Sequence, residues 1–137
     1  MARYTGPKVR LSRRVGVPIA DIPKHTNNER IKTPAGMHGY RGRRLRDFGV
    51  RMNEKQKVRY HYGVLEKQFR RYLAEAGRQP GNTGAVLMQL LERRLDNVIY
   101  RIGFATSRAQ ARQLVRHGHF KVNGKKVDIP SFVMRQG

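Results

Sequence analysis

The sequence predicts an α+β protein: a mainly helical N-terminal part with a basic extended arm, followed by a small module of two short helices and a β-hairpin. Three observations carry this expectation. Val58, Tyr62, Leu65, Phe69, Leu73 and Ala76 recur at spacings of 4, 3, 4, 4 and 3, which at about 100° per residue confines them to roughly an 80° arc of one helix. Ser107 and Gln110 stand three apart, as in a capping box that opens a helix. Asn123-Gly124 lies between Phe120/Val122 and Val127/Ile129, the strongest short-range signal for a hairpin.

Taken in order, residues 1–48 are rich in Gly and Pro and show no sustained helical period. Without a partner such a segment is ordinarily a disordered tail. Leu11, Val15, Ile19, Ile22, Tyr40, Leu45 and Phe48 argue instead for short ordered pieces that settle on a binding partner. Asn53 suits the N-cap of the long amphipathic helix, and Gly77 its stop. Lys57, Arg70 and Arg71 project from its other side. Thr83 is placed to cap the next helix. Val86, Leu87, Leu90 and Leu91 share one face there, whereas Leu95, Val98, Ile99 and Ile102 share another about 100° away. One straight helix would expose one of the two sets, so a break is expected at Glu92-Arg93-Arg94. The break divides the chain into domains 1–92 and 93–137. In the second, Gly103 ends a helix, Ala111, Leu114 and Val115 face inward from the next, Gly118 closes it, and Pro130 ends the hairpin.

Charge decides the class of partner. Thirty basic residues face nine acidic ones over 137 positions, a formal +21. The excess is +9 over 1–48, +5 over 49–91 and +7 over 92–137, so no neutral body carries a basic tail. A compact chain this charged repels itself unless a polyanion neutralises it. Arginine supplies 21 of the 30, and its planar fork suits phosphate and base stacking better than a lysine does.

Catalytic readings find little support. There is no cysteine, which excludes disulfides, thiolate zinc sites and cysteine nucleophiles. His25, His38, His61, His117 and His119 fall in no metal-binding spacing, and neither a P-loop nor a dinucleotide fingerprint is present. No cofactor or metal is expected. The scattered carboxylates read as ion-pair partners of arginines, and Asp96 is placed to orient one. No apolar run follows Met1-Ala2-Arg3-Tyr4, so neither a secretory signal nor a membrane partner is expected. In the module, Arg108, Arg112 and Arg116 recur every four residues, about 6 Å apart along a helix and comparable to neighbouring phosphates. Lys121, with Lys125 and Lys126 nearby, follows on the hairpin. Composition alone leaves a DNA-reading helix pair open. Arginine spread over an arm, a long helix and a compact module better suits the shape of folded RNA.

The residues also resemble a known family. Ala2-Arg3-Tyr4-Thr5-Gly6-Pro7-Lys8, Pro34-Ala35-Gly36-Met37-His38-Gly39, Tyr62-Gly63-Val64-Leu65-Glu66-Lys67-Gln68-Phe69-Arg70, Gly81-Asn82-Thr83-Gly84, Leu91-Glu92 with Arg94-Leu95-Asp96-Asn97-Val98, Ala111-Arg112-Gln113-Leu114-Val115 and His117-Gly118-His119 are, in that order, similar to the motifs of bacterial-type small-subunit ribosomal protein S-four. The resemblance covers nearly all of residues 2–134. It implies a structural, non-enzymatic constituent of the small ribosomal subunit whose second domain is of the S-four, alpha-L RNA-binding type.

Family members bind small-subunit rRNA at a multi-helix junction and nucleate assembly. They lie beside ribosomal protein S-five and other small-subunit proteins near the messenger RNA entry path, and they influence accuracy. Some also bind their own messenger RNA. By position, the implied RNA-facing residues are Arg3, Lys8, Arg10, Arg13, Arg14, Arg43, Arg44, Lys57, Arg70, Arg71, Asn82, Thr83, Arg108, Arg112, Arg116 and Lys121. The expected location is the cytoplasm, in a bacterial or organellar small subunit. Two departures stand out. Some members hold the N-terminal segment with a cysteine zinc site, whereas Val9 occupies one such place here. The family also continues beyond the position of Gly137, which predicts a module incomplete at its C-terminus, with a short, open-edged sheet. An RNA-modifying enzyme built on such a module would need a separate catalytic domain, and 137 residues leave no room for one.

Overall fold

The computed structural model describes residues 4–39 and 46–135. They form seven α-helices, one 3₁₀ turn and one two-stranded antiparallel sheet, a mainly helical α+β chain as expected. The chain divides into two compact units, Met1–Leu65 and Glu66–Gly137.

In the first unit the described part of the arm is more helical than its glycines and prolines suggested. Helix α1 spans Lys8–Val15, α2 spans Pro23–Thr26, and a 3₁₀ turn covers Glu29–Lys32. A buried polar knot joins them. The Ser12 hydroxyl lies 2.7 Å from His25 Nδ1 and accepts from the Ile19 amide at 3.4 Å, and Ser12 and His25 are both buried. Arg13 donates to the carbonyls of Thr33 (2.9 Å) and Pro34 (3.1 Å), fastening the end of the 3₁₀ turn to α1. Periodicity misses this packing because a serine and a histidine, thirteen residues apart, hold places that an apolar pattern would fill.

Burial, with the charges of Lys8 and Lys24, pushes the His25 pKa below its ordinary value. A histidine depressed on folding contributes stability that is present above the ordinary imidazole pKa and lost as pH falls through the folded value. The first unit is therefore expected to weaken on acidification below about pH 6.5. Ser12→Ala, which strands the Ile19 amide and the imidazole, should cost about 1–3 kcal/mol at neutral pH. Urea unfolding from pH 7.5 to 5.0, followed by amide signals of residues 8–32, checks both. A His25→Gln chain should lose most of the pH dependence.

The long helix expected over 53–77 is two helices. Helix α3 spans Asp47–His61 and α4 spans Glu66–Arg78, so Asn53 lies inside α3 rather than capping it, and Gly77 lies inside α4. The break is a Schellman turn. Gly63 adopts φ 63°, its amide bonds to Tyr60 O at 3.1 Å, and the Val64 amide bonds to Arg59 O at 3.0 Å. The apolar stripe keeps its phase across this turn by coincidence. Of its members Tyr62, Phe69 and Ala76 are buried, while Leu65 and Leu73 are exposed.

In the second unit α4 buries Phe69, Tyr72 and Ala76 and packs against α5, Thr83–Glu92. Asn82, not Thr83, caps α5, its Oδ1 accepting from the amides of Gly84 (2.8 Å) and Ala85 (3.3 Å). The expected break falls at Arg93-Arg94, and α6 follows over Leu95–Ile102. Val86, Leu87, Leu90 and Leu91 are buried on α5, and Leu95 and Ile99 on α6, so both apolar faces find a core. Helix α7, Arg108–Arg116, packs on α6 around Leu95, Ile99, Ala105, Ala111 and Val115. Ile102, expected inside, is 62% exposed at the end of α6.

Ser107 caps α7 by accepting from the Gln110 amide (3.2 Å), while Gln110 Oε1 reaches back to the amide of Thr106 (2.8 Å), one residue earlier than the usual box. The Asn123-Gly124 turn, with φ of 50° and 77°, joins β1, Lys121–Val122, to β2, Lys125–Lys126. Both strands are shorter than the alternation predicts. Residues after the hairpin return to α6, where Phe132 O and Pro130 O accept the Leu95 (2.8 Å) and Asp96 (3.1 Å) amides. Those amides would otherwise be unsatisfied, because no side chain caps α6. Among the described residues no helix is long and apolar enough to cross a membrane.

Candidate nucleic-acid interface

The arginines around the start of α6 are organised by three residues, Glu92, Asp96 and Asn97. Asp96 accepts a forked pair from Arg94, Nε to Oδ1 at 3.0 Å and Nη2 to Oδ2 at 2.6 Å. The two side chains are only 3% and 6% exposed. Arg94 Nη1 also donates to the Tyr72 hydroxyl on α4 at 3.0 Å, and Arg112 on α7 approaches Asp96 Oδ2 at 3.7 Å. Burial alone would pull the Arg94 pKa down. The hydrogen bond and charge of Asp96, with Tyr72, more than offset this and hold it above the ordinary arginine value. One carboxylate thus ties α4, the α5–α6 link, α6 and α7 together.

A second network adjoins it. Asn97 donates to Glu92 O (3.0 Å) and Glu92 Oε2 (2.6 Å), and its own Oδ1 accepts from Arg108 Nε at 2.7 Å. Arg108 lies over the Tyr100 ring, 4.5 Å from its centroid, a cation–π seat. Glu92 also takes both Nε and Nη2 of Arg101, at 3.1 and 2.7 Å. The expected pairing of carboxylates with arginines is seen at Glu66, Glu92, Asp96 and Asp128.

The expected arginine row on α7 is therefore graded rather than uniform. Arg108 and Arg112 are half-buried and held by Asn97 and Asp96, while Arg116 is exposed and meets Asp128 at 3.5 Å. Lys121 stands exposed on β1, directly opposite Lys126 on β2. Elsewhere in the second unit, Arg70 pairs with Glu66 at 3.3 Å, Arg71 is exposed, Asn82 is occupied as a cap, and Thr83 opens α5. In the first unit Lys8, Arg10 and Arg14 are exposed on or beside α1, Arg13 is turned onto the 33–34 carbonyls, and Lys57 pairs with Glu54 at 2.6 Å. Arg3, Arg43 and Arg44 lie outside the described residues. Arg101, outside the arginine row that the spacing predicts, is exposed beside Arg108's network. Its position one turn after Asn97 was the available signal.

Among the described residues no three histidine or carboxylate side chains converge on a possible metal position. What the arrangement offers is rigidly placed cations on a small α+β module. Residues 3–92 match the family model described as Ribosomal protein S4/S9 N-terminal domain, and residues 93–137 match the S4 domain. The whole chain is similar to proteins named small ribosomal subunit protein uS4. It is 54% identical to that of Gloeobacter violaceus over 69% of the relative's length, 56% identical to that of Herpetosiphon aurantiacus over 68%, and 57% identical to that of a Roseiflexus species over 67%.

Proposed function

On the premise that the chain belongs to the family of small ribosomal subunit protein uS4, we propose that it binds ribosomal RNA by neutralising phosphates where several RNA helices converge. It is a structural, non-enzymatic component of the small ribosomal subunit. The observation that carries the RNA reading is the formal +21 combined with the fate of the carboxylates. Nine carboxylates stand against thirty basic residues, and Glu66, Glu92, Asp96 and Asp128 among them are each engaged by arginine, so those that remain are too few to balance the exposed lysines and arginines.

The two domains take the boundary at residue 93, and the second acts as the RNA-binding module. Exposed Arg116 and Lys121, with Lys8, Arg10 and Arg14 of the first unit, meet phosphates. Arg108 and Arg112, half-buried and held by Asn97 and Asp96, add their positive charge on the same helix. Nucleation of assembly at a multi-helix junction, a place beside ribosomal protein S-five near the messenger RNA path, influence on accuracy and binding of its own message belong to the same proposal. So does residence in the cytoplasm with the subunit. Sedimentation of cell extract tests it. Co-migration of the chain with small subunits is expected; a pool confined to low mass would instead favour a free messenger-RNA regulator.

A further inference from the structure

The end of α7 and the second hairpin strand border a shallow, open cavity of about 350 Å³ lined by Arg116, His117, Gly118, Lys126 and Asp128. We propose that this cavity is a seat for a single backbone phosphate of the bound RNA, held by Arg116 and Lys126, and that Asp128 moderates its affinity. The inference rests on the RNA-binding reading and adds to it a discrete subsite and a residue that opposes binding.

Three features point to an anion. First, Lys121 and Lys126 are direct cross-strand partners, so their side chains share one face, and like charges so opposed destabilise a hairpin unless something neutralises them. Second, the Lys126 chain is seated rather than free. Gly118, at φ 75°, has no side chain, and a Cβ there would overlap Lys126 Cε and lie 2.8 Å from Nζ. The glycine thus leaves room for the lysine beside the carbonyl end of α7. That end would repel an anion, and the ammonium offsets it. Third, Arg116 reaches the same cavity and presents a fork that suits phosphate oxygens.

Asp128 lines the cavity too, and its effect has two parts of opposite sign. It steadies Arg116 through a contact of 3.5 Å, but with both side chains more than half exposed that pairing is worth little. Its charge also repels an incoming phosphate, and this second effect dominates. Removing the charge should strengthen RNA binding.

The test uses the full chain and a transcript of the 5′ part of the small-subunit rRNA, with affinity measured across a salt series. Lys126→Gln should weaken binding 3- to 10-fold and flatten the salt slope by about 0.7–0.9. Asp128→Asn should tighten binding 2- to 5-fold. Arg78→Gln, which removes the same charge from the end of α4, is the comparison, with less than a twofold loss expected. Titration with inorganic phosphate should shift the amide signals of 116–118 and 126 in the unaltered chain and not in Lys126→Gln. If the unaltered chain binds and every variant stays within twofold, the phosphate seat is overturned and the RNA reading stands. Equal losses in Lys126→Gln and Arg78→Gln overturn it in favour of diffuse charge, and phosphate shifts without an RNA effect mark an anion site that RNA does not use. An unaltered chain with no salt-dependent binding overturns both.

Discussion

Asp96→Ala is expected to destabilise the second unit by about 3–5 kcal/mol, because it leaves the Arg94 guanidinium buried with its charge uncompensated. The magnitude follows from burial, since the same pair at the surface would be worth below about 1 kcal/mol. Arg94 would keep the Tyr72 hydroxyl at 3.0 Å, which accepts one hydrogen bond but carries no charge. Arg112 would lose its carboxylate neighbour as well, loosening α7 against α6. Small domains are stable by only about 5–15 kcal/mol, so much of the folded population is at stake. Urea unfolding of the full chain, followed by signals from residues 66–135, measures the loss.

A second substitution separates the cost of breaking the pair from the worth of having it. Arg94→Met together with Asp96→Leu removes both charges and should lose less than either single change. A double variant as unstable as Asp96→Ala would mean that the pair itself, not an orphaned charge, holds the unit together. The same network bears on any reading of Arg112. Replacing Arg112 removes a possible phosphate contact and a neighbour of Asp96 at once, so lost RNA affinity in that variant needs a stability measurement beside it. Arg116, exposed and tied only to an exposed carboxylate among the contacts seen, carries no such ambiguity.

Part of the local chemistry was legible in the sequence, although the caps expected at Asn53 and Thr83 and the stop at Gly77 were not found, and long-range chemistry was not legible. The Asn123-Gly124 turn, the Ser107 cap and the break at Arg93-Arg94 each depend on residues within a few positions, and each is found. The split between α3 and α4 escaped because Gly63 interrupts a stripe whose phase happens to continue. Helix α1 escaped because its buried face includes Ser12, whose partner His25 is supplied from another element. At the interface, Asp96 was readable as an arginine partner. That it would take Arg94 in a fork, with Tyr72 from 22 positions away completing the set, depends on how α4 packs. For the same reason the row of Arg108, Arg112 and Arg116 looked uniform as a spacing and is graded in space.

The second large effect is electrostatic and concerns the whole chain. A surface that neutralises six to ten phosphates releases the counterions that had screened them, so log affinity falls linearly with log salt. For this chain, raising salt from 50 to 200 mM should weaken binding to small-subunit rRNA about 10²- to 10⁴-fold, with a slope between about −3 and −7. The range sits below the duplex-DNA limit because Glu66, Glu92 and Asp128 already occupy Arg70, Arg101 and Arg116 in part. Phosphate neutralisation is thus most directly tested by titrating the 137-residue chain against the 5′ rRNA transcript at four salt concentrations. Tight binding that collapses along a steep straight line is the predicted result. Affinity that is absent at low salt, or unchanged across the series with the chain demonstrably folded, would contradict it.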